Sequence, residues 1–328
     1  MIRKLIYLGA ALFLLEGCGG ALISNKQERS IGRGVHAELK SEYALVSPKD
    51  PVGKWAKAFI RPFQKASERF RSSREIGGYK IAVIADDTLV NAFAAPGGYT
   101  YLSTGLILKS KSCAEIAGVM GHELAHVTQR HGAKSIEKAL AGQQLIGLFF
   151  DEGLAANSAE IIWGFLQATT FSREDETEAD TVGLKVSYHA GYNPYGLANF
   201  FKSLLKDSGG DGPEFLSSHP ATSKRVRSVR SQIKRLYGKK ASKKSSECLT
   251  KMKLKDLKAR IRSGKMKVIA KTKSTQSSKK ATAAGWSKGS AKKKKSSATK
   301  AGWGKGATKK PSKSPATKSG WSKGKETP

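Results

Sequence analysis

The chain has 328 residues, with 59 Lys+Arg against 26 Asp+Glu and a formal net charge of +33. The imbalance is local: from Lys239 onward 29 basic residues face three acids, whereas residues 1–238 carry only +7. That split excludes reading the front part as a basic domain, and its length suffices for one well-buried core.

At the N-terminus, Arg3 and Lys4 precede an apolar run over residues 5–15, too short to span a bilayer as a permanent helix. The run ends in Leu15, Glu16, Gly17 and Cys18. A small residue before a cysteine at that point resembles a bacterial lipoprotein processing site. Residues 1–18 therefore read as a signal peptide whose cleavage leaves Cys18 lipidated. Gly19 after it resembles sorting to the outer membrane of a Gram-negative cell. Several acyl chains would anchor firmly, since a single chain binds only marginally. Residues 19–27 read as a linker, and residues 28–75 as mostly helical with a break near Pro48 and Pro51. Residues 79–85 alternate as a strand does, and residues 90–95 and 99–103 flank the turn signal Pro96, Gly97, Gly98. An exposed edge of such a sheet can take an extended peptide as an added strand.

Residues 112–130 predict one helix. Ser112 suits its N-cap, Glu115 three residues on completes a capping-box pattern, and apolar positions recur as a stripe at helical spacing. Gly118 and Gly121 lower helix propensity and point to close backbone approach. Within the helix lies Gly121, His122, Glu123, Leu124, Ala125, His126. Positions i and i+4 share a helix face, so both imidazoles can reach one ion, and Glu123 can take a proton from metal-bound water.

A catalytic zinc needs a third protein ligand and one open position. The acidic segment from Phe171 to Asp180 supplies it: Glu176 and Asp180 stand four residues apart on a predicted helix. Glu176 suits the metal, and Asp180 suits the outer nitrogen of a ligating histidine. Glu178, half a turn away, ranks behind Glu176. His131 follows His126 by five residues, on a different face, and is assigned a structural role, as are His36 and His189. Between these helices, residues 134–170 are apolar-rich, too short and too interrupted by Asp151, Glu152 and Gly153 to span a membrane; core packing or covering of the cleft accounts for them. A turn at residues 191–194 leads to a helix through Leu205. A loop over residues 206–220 delivers His219, and a basic helix over residues 223–236 closes the domain.

The tail, residues 239–328, is rich in Lys, Ser, Ala, Thr and Gly and has too few apolar residues to fold alone. It repeats a Gly-Trp-[Ser/Gly]-Lys-Gly motif around Trp286, Trp303 and Trp321. Cationic runs with interleaved tryptophan suit an anionic envelope polymer or lipid; the export signal argues against nucleic acid. An oxidising periplasm would permit a Cys113–Cys248 disulfide, and the sequence leaves their proximity open.

The sequence HELAH, then SREDETEAD about 50 residues later, then SSHPATSKR, resembles the zinc metallopeptidases related to CAAX prenyl endopeptidases and HtpX heat-shock peptidases, in their soluble periplasmic and lipoprotein branch. The likeness covers about residues 28–237. It implies an α+β, mostly helical zincin-type domain over residues 28–238, with a small sheet beside the HExxH helix and a disordered basic tail. It implies one zinc per chain on His122, His126 and Glu176, with Glu123 as general base. Its histidine before proline maps to His219, as an oxyanion donor or as an occupant of the open zinc position. Its arginine maps to Arg225, supporting the intermediate or buttressing His219. The expected function is hydrolysis of misfolded or misassembled envelope proteins at the periplasmic face of the outer membrane. The alternative is a chaperone-like or scaffold lipoprotein with a silent metal site and a working tail.

Overall fold

The computed structural model describes residues 23–141, 158–207, 215–220 and 222–272. Cys18, the predicted signal peptide, the apolar residues 145–150 and the tryptophan repeats lie outside the described residues.

Helix α1 (Asn25–Glu42) starts on a capping box of Ser24 and Gln27 and leads into β1 (Leu45–Val46). Helix α2 (Pro51–Ser67) is capped by Asp50, whose side chain accepts from Val52 N, with Pro51 at the first helical position, where a missing N–H is harmless. The predicted break near Pro48 and Pro51 is this junction. A short helix α3 (Ser73–Ile76) precedes three strands, β2 (Lys80–Ile84), β3 (Ala92–Ala95) and β4 (Tyr99–Ser103). Then come α4 (Thr104–Lys109), α5 (Cys113–Thr128), α6 (His131–Ala141), α7 (Ser158–Ala168), α8 (Arg173–His189), α9 (Gly196–Asp207), α10 (Phe215–Ser218), α11 (Ser223–Tyr237), α12 (Leu254–Arg262) and β5 (Val268–Ile269).

The sheet runs in the order β3-β4-β2-β1-β5, with β2 parallel to β4 and the other pairs antiparallel. The turn at Pro96 holds Gly97 and Gly98 at φ 73° and 82°, a region that favours glycine. It joins β3 to β4 in register Ala92↔Leu102 through Ala95↔Tyr99 and leaves β3 at the sheet edge, against α5.

Helix α5 departs from the expected apolar stripe: all sixteen of its residues are buried, because β3, β4, α8 and α9 pack around it. Its cap also differs. Ser112 Oγ accepts from Glu115 N, but the Glu115 carboxylate turns to Lys111 N at 2.6 Å rather than to Ser112. α5 and α8 meet backbone to backbone: a Cβ on Gly183 would stand 2.8 Å from Gly121 C and from His122 Cα and N. The close approach expected from Gly121 is thus against α8.

A second departure concerns the tail. The sequence placed everything after Gly238 outside the domain, on the ground that it is too polar to fold alone. The structure places residues 239–272 within the fold, because this segment borrows the domain's core. Leu257 and Ile261 of α12 are buried there, and β5 pairs with β1. Asp50, already the cap of α2, also accepts from Lys267 N at 2.8 Å and Arg260 Nη2 at 3.1 Å. Cys113, at the start of α5, is disulfide-bonded to Cys248. Residues 273–328 lie outside the described residues.

A buried ion cluster ties α1 to the segment just after α5. Glu28, 1 % exposed, receives Arg71 Nη1 and Nη2 at 2.9 and 2.8 Å and Arg130 Nε at 3.0 Å. Burial alone would raise its pKa, but Arg71 and Arg130 outweigh that and hold it below the usual carboxylate range. A depressed folded value means the stabilisation is full above the ordinary carboxyl range and is lost as pH falls through the folded pKa.

Two outcomes follow from these contacts. Leu257→Ala should lower the unfolding free energy by about 2–4 kcal/mol, measured by chemical denaturation; a change under about 1 kcal/mol would contradict docking of the 239–272 segment. Glu28→Gln should cost about 1.5–3 kcal/mol at neutral pH, because Arg71 and Arg130 lose their shared charged acceptor while keeping Glu75 and Glu137. That difference should shrink in acid, where wild-type Glu28 is itself protonated; a pH-independent difference would contradict the charge account.

Candidate metal centre

Four buried side chains converge: His122, His126, Glu176 and His219, with one potential ligand atom from each lying within 4.8 Å of all the others. Consecutive turns of α5 supply the two imidazoles, whose Nε2 atoms lie 3.1 Å apart. Helix α8 supplies Glu176. It begins at a capping box of Ser172 and Asp175 and carries Glu174, Asp175 and Glu176 in its first turn, where carboxylates suit the positive end of the helix. The Gly121–Gly183 contact brings α8 close enough for Glu176 Oε2 to lie 3.5 Å from His122 Nε2, and Glu176 Oε1 3.5 Å from His126 Nε2.

His219 arrives from α10, which hangs on a bond from Phe215 N to Val90 O. Its ring stacks on Phe215, and its Nδ1 lies 2.8 Å from Glu176 Oε1 and 3.2 Å from His122 Nε2. Its Nε2 is 3.6 Å from Glu123 Oε1. His219 therefore sits inside the donor cluster.

Around the cluster, Asp180 Oδ1 lies 3.1 Å from His122 Nδ1, the outer nitrogen of that ring. Arg225 bonds Asp180 through Nε and Nη2 at 2.9 and 2.7 Å, and its Nη1 lies 2.7 Å from Glu176 Oε2. This corrects the expected partner of Arg225: it braces the two carboxylates rather than His219, because α11 runs alongside α8. Glu178 turns away from the cluster and contacts His131 Nε2 at 3.1 Å. His131 is a second correction. Arg130 adopts φ 62°, which ends the helix and lets His131, the first residue of α6, fold back until its Nδ1 lies 2.9 Å from His126 Nδ1. A continuous helix would have kept the two rings on different faces. Phe171, given no role from sequence, stacks on His126 at 4.1 Å between centroids. Its place just ahead of the Ser172 cap was a readable signal that it packs back onto the site. His36 keeps its structural role, with Nδ1 2.9 Å from Tyr101 Oη.

The electrostatics of the cluster suit a cation. Burial lowers the His122 pKa, but Glu176 and Asp180 outweigh it and push it up to about 9. Burial raises the Glu176 pKa, and His219 and His122 more than reverse this, holding it below the carboxylate range. Burial drives His126 down, so it stays neutral with a free lone pair. Two Nε2 atoms, an Nδ1 and the Glu176 carboxylate converge in this buried site, close enough together to be shared by one ion. A single divalent ion that takes nitrogen and carboxylate ligands satisfies them together, which is the donor chemistry of zinc. Glu123 is raised by burial, against the pull of His219, His122 and the Ala94 backbone. Above it opens a cavity of about 260 Å³ whose walls include Phe93, Ala94, Trp163, Phe171 and His219.

A buried histidine pair on one helix, a carboxylate from a second and a glutamate facing a cleft define a metallopeptidase-type centre. The chain belongs to peptidase family M48, whose model matches residues 58–233. It is 32 % identical over 211 residues to the mitochondrial metalloendopeptidase OMA1 of Arabidopsis thaliana, covering 60 % of this chain and 43 % of that protein. To OMA1 of Saccharomyces cerevisiae it is 34 % identical over 161 residues, 46 % of each chain. To the beta-barrel assembly-enhancing protease of Escherichia coli K12 it is 29 % identical over 160 residues, 45 % of this chain and 33 % of that protein. The chain thus spans about a third to just under half of these relatives' lengths.

Asp180→Ala should weaken zinc affinity by roughly 10–100-fold, read by competition with a chromophoric chelator, because His122 loses the acceptor on its outer nitrogen. Unchanged affinity would contradict that role.

Proposed function

We propose that this chain is a zinc metalloendopeptidase, with His122, His126 and Glu176 as metal ligands and Glu123 as general base. The observation that carries the reading is the buried four-residue donor cluster directly beside Glu123. A zinc ion held there supplies Lewis acidity toward a peptide carbonyl and toward water. The chain's own residues do the rest. Glu123, its carboxyl raised by burial, accepts a proton from the attacking water and returns it to the departing amine. The edge of β3, whose Ala94 lines the same cavity as Glu123, aligns an extended peptide by backbone pairing, which makes cleavage weakly sequence-specific.

His219 has two readings, and the geometry favours one. With its Nδ1 among the donor atoms, it occupies the position a substrate carbonyl needs and holds the centre closed. The other reading, a donor to the reaction's oxyanion, requires it to swing aside first.

The proposed substrates are unfolded or misassembled envelope proteins. The proposed location is the outer membrane's periplasmic face, with Cys18 as lipid anchor and the Lys- and Trp-rich tail on an anionic envelope polymer. Supporting this are the residues around Cys18, the composition of the tail and the likeness to the Escherichia coli relative, a beta-barrel assembly-enhancing protease. No helix among the described residues is long and apolar enough to cross a membrane. The alternative, a chaperone-like scaffold with a silent metal site, is tested by the same assay.

Glu123→Gln should retain zinc and lose about 10²–10⁴-fold in cleavage of casein. Wild-type protein without chelator-sensitive cleavage would favour the scaffold. His219→Ala should raise cleavage above wild type; a loss of roughly 10²-fold or more would assign it to the oxyanion instead.

A further inference from the structure

The proton positions on two neighbouring histidines are fixed by one another. His126 Nε2 faces the donor cluster. An imidazole that gives its Nε2 lone pair to a metal carries its proton on Nδ1. His126 Nδ1 lies 2.9 Å from His131 Nδ1. Two N–H groups cannot face each other across that distance, so His126 donates and His131 Nδ1 accepts. The His131 proton then sits on Nε2. That nitrogen lies 3.1 Å from Glu178 Oε2, which accepts, with the Asp175 carboxylate nearby at 3.6 Å. Every hydrogen bond in the row Glu178, His131, His126 points the same way.

We infer that His131 is a positioning residue for His126: with Glu178 behind it, it fixes the tautomer and ring orientation that the metal requires. The inference rests on the reading of His126 as a ligand. The packing supports a dedicated role. His131 is fully buried at the start of α6, and its ring meets the His126 ring edge-on at 4.9 Å. Phe171 stacks on the His126 face at 4.1 Å between centroids and holds the ring from that side. The two ligand histidines of α5 are therefore held differently. The outer nitrogen of His122 meets the carboxylate of Asp180, and that of His126 meets a neutral imidazole that relays to a carboxylate. A relay lets Glu178, on the exposed side of α8, act on a ligand it cannot touch.

Two measurements on full-length, zinc-loaded protein test this. In ¹⁵N-histidine-labelled wild type, two-bond ¹H–¹⁵N correlations should show His126 protonated on Nδ1 and His131 on Nε2. A His131 protonated on Nδ1, or on both nitrogens, overturns the inference. The second measurement is zinc affinity by chelator competition. His131→Phe keeps the ring volume without an acceptor and should weaken binding by roughly 10–100-fold, whereas His131→Asn, whose amide oxygen replaces Nδ1, should stay within about threefold of wild type. Glu178→Ala, at a half-exposed position the fold tolerates, should weaken binding in the same direction. Equal affinity in wild type and His131→Phe, or equal loss in the Phe and Asn variants, overturns the inference. Wild type that binds no zinc would instead overturn the metal reading on which it stands.

Discussion

The contact of α5 with α8 at Gly121 and Gly183 sets the geometry of everything else in this molecule. Helices with side chains between them pack 8–10 Å apart. Here the backbones touch, and a single Cβ at either glycine would push them apart. Only at that separation do Glu176 and Asp180, one turn apart on α8, reach opposite sides of the His122 ring, Glu176 toward Nε2 and Asp180 toward Nδ1. The buried polar cluster is a consequence of two small residues.

Such a cluster is expensive to bury without compensation. The fold compensates twice. Arg225 lies against both carboxylates and over the Phe201 ring at 4.6 Å, so the negative charge on α8 is balanced from the side away from the donor atoms. On the opposite side, the imidazoles present a nitrogen array that suits a cation. The same logic recurs at Glu28, where Arg71 and Arg130 meet one buried carboxylate and anchor α1 to the end of the metal helix. Arg130 both makes this bond and adopts the left-handed backbone that returns His131 to the site.

Much of the arrangement was legible in the residues. The HExxH spacing, Glu176 and Asp180 at helical separation, the strands flanking Pro96 and the small residues Gly118 and Gly121 all carry their structural meaning within a turn or two of chain. What was not legible depends on the chain meeting itself at long range. Nothing local marks Arg130 as left-handed, since that region favours glycine, so the return of His131 had no signal. The partner of Arg225 is set by how α11 lies along α8. The segment 239–272 is polar enough to read as tail. Its few apolar residues, Leu257 and Ile261 among them, fill a core built by residues 200 positions earlier, and Cys113 ties it to the metal helix.

Fold, charge and donor geometry all turn on one ion in one place. Anomalous diffraction across the zinc K edge, from crystals of protein purified without added chelator, should give a single strong peak per chain between His122, His126 and Glu176. No peak there, or a peak only at surface histidines such as His189, would contradict it.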